Sequence, residues 1–327
     1  MHKYRDRALG YWALVGCLSA TLACTLPAAL TAKPTAFPPS PTAMAVPSVT
    51  AMPTTGDSVS ATPQQTPTQS VILTTSPPID PSVSYAVVLV KEGDVLNVRS
   101  NAGVQYPIVD TLDAHAKGIR LTTGQQKIGE ALWVEIVRPA GGTGWVNAYY
   151  LTEEASPEDV CADERVHQLL MDFENAVRLR DGEALAQLVS PTHGLMIRHE
   201  WWNPQVTFQP GEVAILFEDT RSHDWGIADG SGLPIQGSFQ EVILPRLLDV
   251  LESNYTMHCN TLETGVATGG TAGLVILPYE YANFRYYAFY RAGSVGMEMD
   301  WRTWAIGIEY VNGKPRIVFL VQYHWEI

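Results

Sequence analysis

The chain has 327 residues, 46% of them apolar, and a formal net charge of −13. That length leaves room for two domains of ordinary size. So acidic a chain is repelled by phosphate backbones, which excludes nucleic acid as an expected partner.

The first residues set Lys3, Arg5 and Arg7 against Asp6, and an apolar run follows from Ala8 to Ala23. A basic start with an apolar stretch is the physical signature of an export signal. Two cysteines, in Leu14-Val15-Gly16-Cys17 and Thr21-Leu22-Ala23-Cys24, stand in contexts that resemble bacterial lipoproteins. By residue type Cys17 is the better match. Cutting there, however, leaves a very short apolar core and strands Leu18 to Leu30 on the mature protein. Cutting before Cys24 leaves a core of the usual ~7–15 residues. Residues 1–24 are therefore read as a signal peptide and lipoprotein anchor, with lipid on Cys24 and Cys17 as the alternative. A third reading keeps Ala8 to Leu30 as an uncleaved spanning helix, since ~20 apolar residues suffice. Each reading places the bulk of the chain outside the cytoplasm, anchored to the cell membrane.

Residues 25–82 are dominated by Pro, Thr, Ser and Ala, with only Lys33, Asp57 and Asp80 charged. Such a segment cannot bury enough apolar surface to offset its ordering entropy, so a disordered linker with polyproline character is expected. Its reach lies between roughly 40 Å as a coil and roughly 180 Å as a rod.

From 84 to 153 short alternating apolar runs are separated by Gly-containing turns, the pattern of a small β-barrel. Leu96-Asn97-Val98-Arg99-Ser100 begins it, Gly118-Ile119-Arg120-Leu121 and Trp133-Val134-Glu135-Ile136 follow, and Gly144-Trp145-Val146 with Tyr150-Leu151 closes it. This ordered set resembles the bacterial SH3 family. Arg99, after an apolar strand, is expected to pair with a carboxylate or a strand-end carbonyl. Trp145 is expected in the core. Tyr106, Trp133, Tyr149 and Tyr150 are the candidate ligand-binding aromatics, because such rings join an apolar body to a polar edge. The resemblance implies cell-wall peptidoglycan or another envelope glycan as partner. Residues 125–130 read as a polar turn that departs from the family pattern.

Residues 157–327 read as an α+β domain of unknown function, with helices early and an antiparallel sheet late. Val166, Leu169, Leu170, Phe173 and Val177 stand at helical spacing between Asp163 and Arg180. Shorter helices are expected at 183–189, at 210–217 and, around Pro245, at 239–251. Strands are expected at 195–199, 206–208, 274–277 and 286–291. Asn312-Gly313 between two apolar runs is a strong hairpin signal. Its two-residue loop places Glu309 opposite Arg316, Ile306 opposite Phe319 and Trp301 opposite His324. Helix-then-sheet order resembles the cone-shaped nuclear-transport-factor-like folds, although helix 239–251 sits where that topology wants strands. Cys161 and Cys259 are expected to form a disulfide in an oxidising compartment.

For chemistry, acids beside tryptophans at Glu200, Asp224 and Asp300 are the weak catalytic candidates, suited to a glycan-directed hydrolase. The plainer reading makes these tryptophans core residues and these acids turn caps. Histidines 193, 199, 223, 258 and 324 show no HExxH or comparable spacing, so no metal and no cofactor is expected. Glu309 is read as an ordinary cross-strand partner of Arg316. No wall-peptidase, transpeptidase or GxSxG nucleophile motif is present. The sequence therefore favours binding over catalysis.

Overall fold

The computed structural model describes residues 79–263 and 276–325. The anchor with Cys17 and Cys24, the linker through residue 78 and half of the strand expected at 274–277 (residues 274 and 275) lie outside the described residues, and residues 276 and 277 are not strand. No described helix is long and apolar enough to cross a membrane.

The first part is a curled, seven-stranded antiparallel sheet. Its strands are β1 (Ser84–Val87), β2 (Val95–Arg99), β3 (Ile108–Asp113), β4 (Ile119–Ile128), β5 (Ala131–Val137), β6 (Thr143–Asn147) and β7 (Leu151–Glu153), in the order β3-β2-β6-β5-β4-β1-β7. Period-two alternation sends Leu96, Val98, Ile119, Leu121, Val134, Ile136 and Val146 inward as its core. Gly144 is required where β6 meets β2, since a Cβ there would stand 2.5 Å from Val98 Cγ1. The polar turn expected at 125–130 is mostly strand. β4 runs on through Ile128, which pairs with Ala131, so only Gly129 and Glu130 turn the chain.

The second part begins with α1 (Pro157–Ala162), α2 (Glu164–Leu179) and α3 (Gly182–Leu188). The Asp163 side chain caps α2, whose buried stripe is Val166, Leu169, Leu170, Phe173, Ala176 and Val177. β8 (Leu195–Arg198) and β9 (Val206–Phe208) precede α4 (Pro210–Val213). A two-stranded ribbon, β10 (His223–Ile227) and β11 (Pro234–Gly237), precedes α5 (Phe239–Val242) and α6 (Leu244–Leu251). The single helix expected around Pro245 is thus two, with Pro245 in the first turn of α6, where its missing N–H costs no helical bond. β12 (Thr256–Cys259), β13 (Arg285–Arg291), β14 (Arg302–Val311) and β15 (Lys314–His324) complete a six-stranded sheet in the order β12-β13-β14-β15-β8-β9. Cys161 of α1 and Cys259 of β12 are disulfide-bonded, their Cα atoms 5.8 Å apart.

This sheet is buried on both faces. Trp304, Ile306, Ile308, Ile317 and Leu320 pack among the helices. Ala305, Phe319, Val321 and Tyr323 pack on the other side with Tyr281, Phe284 and Val88. Val88 directly follows β1, so the chain leaving the barrel adds a residue to the sheet's core while the barrel keeps a core of its own. Burial on both sides explains why β14 and β15 are nearly continuous apolar runs.

The junction is also polar. Asn283 donates to the Val87 carbonyl at 2.8 Å, and Leu89 N–H donates to the Glu280 carbonyl at 2.8 Å. The Glu153 carboxylate at the end of β7 accepts from Asn312 N at 2.5 Å and Gly313 N at 3.0 Å, the two turn residues of the last hairpin. Barrel and α+β part therefore belong to one compact unit.

The final hairpin keeps the expected register from Val311–Lys314 to Ile308–Ile317 and then slips by one at a bulge. Gly307 pairs with Phe319, Ile306 with Leu320, and Arg302 with His324, in place of the expected Trp301. The cause lies at Gly307, where the Phe319 ring occupies the space of a Cβ, 2.2 Å from its position.

Candidate functional site

Two places gather functional side chains. The first is the end of the six-stranded sheet where β8 and β15 finish and β14 begins. His199 and Glu200 follow β8 directly and are 3% and 1% exposed. His324 Nε2 stands 2.6 Å from Glu200 Oε1, and His199 Nδ1 stands 3.0 Å from the same oxygen. Burial, aided by Arg246, His324 and Arg302, lowers His199 to about 3. Burial, aided by Arg302 and Arg246, lowers His324 to about 4. Both rings are thus neutral at physiological pH, and these short approaches are not ion pairs. His324 Nδ1 lies 2.7 Å from the Trp325 carbonyl, which can only accept. The ring proton therefore sits on Nδ1, and the lone pair of Nε2 faces Glu200.

Cations surround this group. Arg302 Nη1 is 2.9 Å from Asp249, which also meets Arg291 Nε at 3.2 Å. Arg246, on α6, donates to the Val242 carbonyl at 2.8 Å. Among the described residues, no group of three or more His, Cys, Asp or Glu side chains is arranged to hold a metal ion.

Asp224 and Asp300 do other work. Asp224 is exposed and accepts from Gly226 N at 3.0 Å. Asp300 accepts from Ser294 N at 2.7 Å and Ser294 Oγ at 2.8 Å, which holds it below the usual carboxylate range. Both cap turns. Trp225, Trp301 and Trp304 are core residues, 0%, 2% and 0% exposed.

The second place is a row across the outer face of the barrel. Ile108 on β3 pairs with Arg99 on β2, Arg99 with Trp145 on β6, and Trp145 with Glu135 on β5. Thr122 Oγ1 on β4 donates to Glu135 Oε2 at 2.5 Å. Period two puts all of these side chains on the same face. Arg99 is fixed by its 2.8 Å bond to the Tyr106 carbonyl. Trp145 is half-buried and lies over Gly124, whose missing side chain leaves room for the ring. The core place expected for Trp145 is corrected here: it stands on the outer face.

Compared with known protein families, residues 94–152 match the bacterial SH3 domain. Residues 94–152 are a bacterial SH3 domain. No curated protein and no solved structure matches the chain.

The SH3 domain distributes its candidate aromatics unevenly. Trp133 is 5% exposed. Tyr149 and Tyr150 stand at the junction with the α+β part. The Tyr150 carbonyl accepts from Val88 N at 3.0 Å, and the Tyr149 ring packs 5.2 Å from His193. Burial, then Tyr150 and Glu309, push the Tyr149 hydroxyl up. Tyr106 is half-buried, its carbonyl held by Arg99. The row around Trp145 escaped a reading that took aromatics singly. Its signal was the coincidence of Arg99, Glu135 and Trp145 on outward positions of neighbouring strands.

Proposed function

We propose that this protein is an extracytoplasmic envelope protein whose SH3 domain contacts cell-wall peptide or glycan through the Arg99–Trp145–Glu135 row. Bacterial SH3 domains commonly bind cell-wall peptidoglycan, and the observation that carries the reading is the SH3 domain itself, residues 94–152. A partly exposed indole between a guanidinium and a carboxylate suits a ligand with an apolar sugar face and polar substituents. The disulfide Cys161–Cys259 supports an oxidising compartment. In this reading Cys24 carries lipid, residues 25–82 lift the folded part from the membrane, and the α+β part binds a ligand of its own. A glycan hydrolase with paired carboxylates gains nothing from Asp224 and Asp300, which are occupied in turns.

The test is co-sedimentation of the full chain with purified wall material, wild type against Trp145→Ala and Glu135→Gln. Wild type is expected in the pellet and both variants largely in the supernatant. Wild-type protein that stays in the supernatant sinks the proposal. For the anchor, mass spectrometry of the mature N-terminus is expected to find diacylglyceryl on Cys24. Modification at Cys17, or an intact Met1, would overturn that assignment.

A further inference from the structure

The sheet end around Glu200 holds buried polar atoms that no fold contact explains. Gln322 on β15 is 0% exposed, yet among the described residues neither its amide oxygen nor its amide nitrogen has a hydrogen-bond partner. His199 Nε2 and Arg302 Nε are likewise buried without one. A buried amide left unbonded is costly, so a cluster of such atoms calls for a bonding partner.

The register brings these groups together. Gln322 pairs with Trp304 and His324 with Arg302, so Gln322, His324 and Arg302 share the helix-side face. β8 runs parallel to β15, with Val321 beside Arg198, which places His199 next to Gln322. Gln322 is the deepest. Arg302 and His324, with side chains 24% and 26% exposed, are the members nearest solvent.

We infer that this sheet end is a binding site for a small neutral polyhydroxylated molecule, a mono- or disaccharide. The unbonded atoms are mixed: Arg302 Nε and the Gln322 nitrogen donate, the Gln322 oxygen accepts, and a neutral imidazole offers one of each. Hydroxyl groups both donate and accept, so a polyol serves all of them. A carboxylate or phosphate group only accepts; in place of a hydroxyl it would leave the Gln322 oxygen unserved and would lie against Glu200. This site is separate from the barrel row and does not depend on wall contact there.

The experiment is calorimetric titration of the full chain with glucose, N-acetylglucosamine and cellobiose, with glucuronate as the anionic contrast. At least one neutral sugar is expected to bind saturably, and Gln322→Leu to weaken that binding about tenfold or more. In the Trp145→Ala background, which removes any sugar held at the barrel row, Gln322→Leu is expected to weaken the remaining binding by the same factor. In parallel, acylation of His324 by diethyl pyrocarbonate is expected to slow when the sugar is present, a readout that needs no variant. Three results overturn the inference: no saturable binding of any neutral sugar, which assigns water alone to the site; a preference for glucuronate; or binding lost in Trp145→Ala and kept in Gln322→Leu, which assigns the sugar to the barrel.

Discussion

The His193 Nδ1 atom lies 2.9 Å from both carboxylate oxygens of Glu309, and its Nε2 lies 2.8 Å from the Tyr149 carbonyl. Neither neighbour of the ring needs to donate, so both ring nitrogens carry protons and the pair is an imidazolium with a carboxylate. Thr152 Oγ1, also from the barrel, reaches Glu309 Oε2 at 3.3 Å. His193 and Glu309 are 0% and 3% exposed. The ordinary Arg316 partnership expected for Glu309 is corrected by this geometry: the two strands pair there, but the Arg316 guanidinium turns to the Gln187 carbonyl.

Removing one partner of a buried pair leaves the other charge uncompensated. Glu309→Gln or His193→Ala is therefore expected to destabilise the folded unit by about 3–5 kcal/mol. Denaturant unfolding followed at barrel and helix signals together checks this. Wild type is expected to melt both in one transition. Separate transitions in the wild type would contradict one cooperative unit.

The histidines give stability opposite pH slopes. Burial pulls His193 down, but Glu309 and the Tyr149 carbonyl outweigh it, so its folded value is raised. The stability it contributes is complete below its unfolded value near 6.5 and fades as pH rises through the raised folded value. His199 and His324 are lowered to about 3 and about 4. Their contribution is complete above about 6.5 and is lost as pH falls toward 4 and then 3. Stability is expected to peak at or just above 6.5 and to fall on both sides. The urea midpoint measured against pH tests this, with the acid limb flattened in His199→Gln/His324→Gln and the alkaline limb flattened in His193→Phe.

Reduction of Cys161–Cys259 releases a link across a sequence separation of 98. Cys161→Ser with Cys259→Ser is expected to cost about 2–5 kcal/mol, mostly by freeing the unfolded chain. A thermal midpoint unmoved by reductant would contradict this.

Gly307→Ala places a methyl group in the Phe319 ring. A loss of about 1–3 kcal/mol is expected, with partial recovery when Phe319→Leu is added. An additive double variant would show that the bulge has another cause.

The barrel and the turn at Asn312-Gly313 were legible because both rest on local chemistry: alternation, glycine turns and a two-residue loop. The slip at Gly307 was not, because it depends on where the Phe319 ring comes to rest. β10 and β11 hid behind the polar cluster His223-Asp224, and β12 behind the cysteine motif it contains. The pairing of Glu309 with His193 joins residues 116 positions apart, a relation that no local pattern records. Gln322 carried a readable sign, a polar residue inside an apolar run, but only the register shows which side chains it faces.

Glu153 holds both turn amides of the last hairpin. A chain made from its N-terminus completes β7 long before Asn312 and Gly313 exist. The carboxylate that fixes the turn is therefore made well before the two strands whose register it holds.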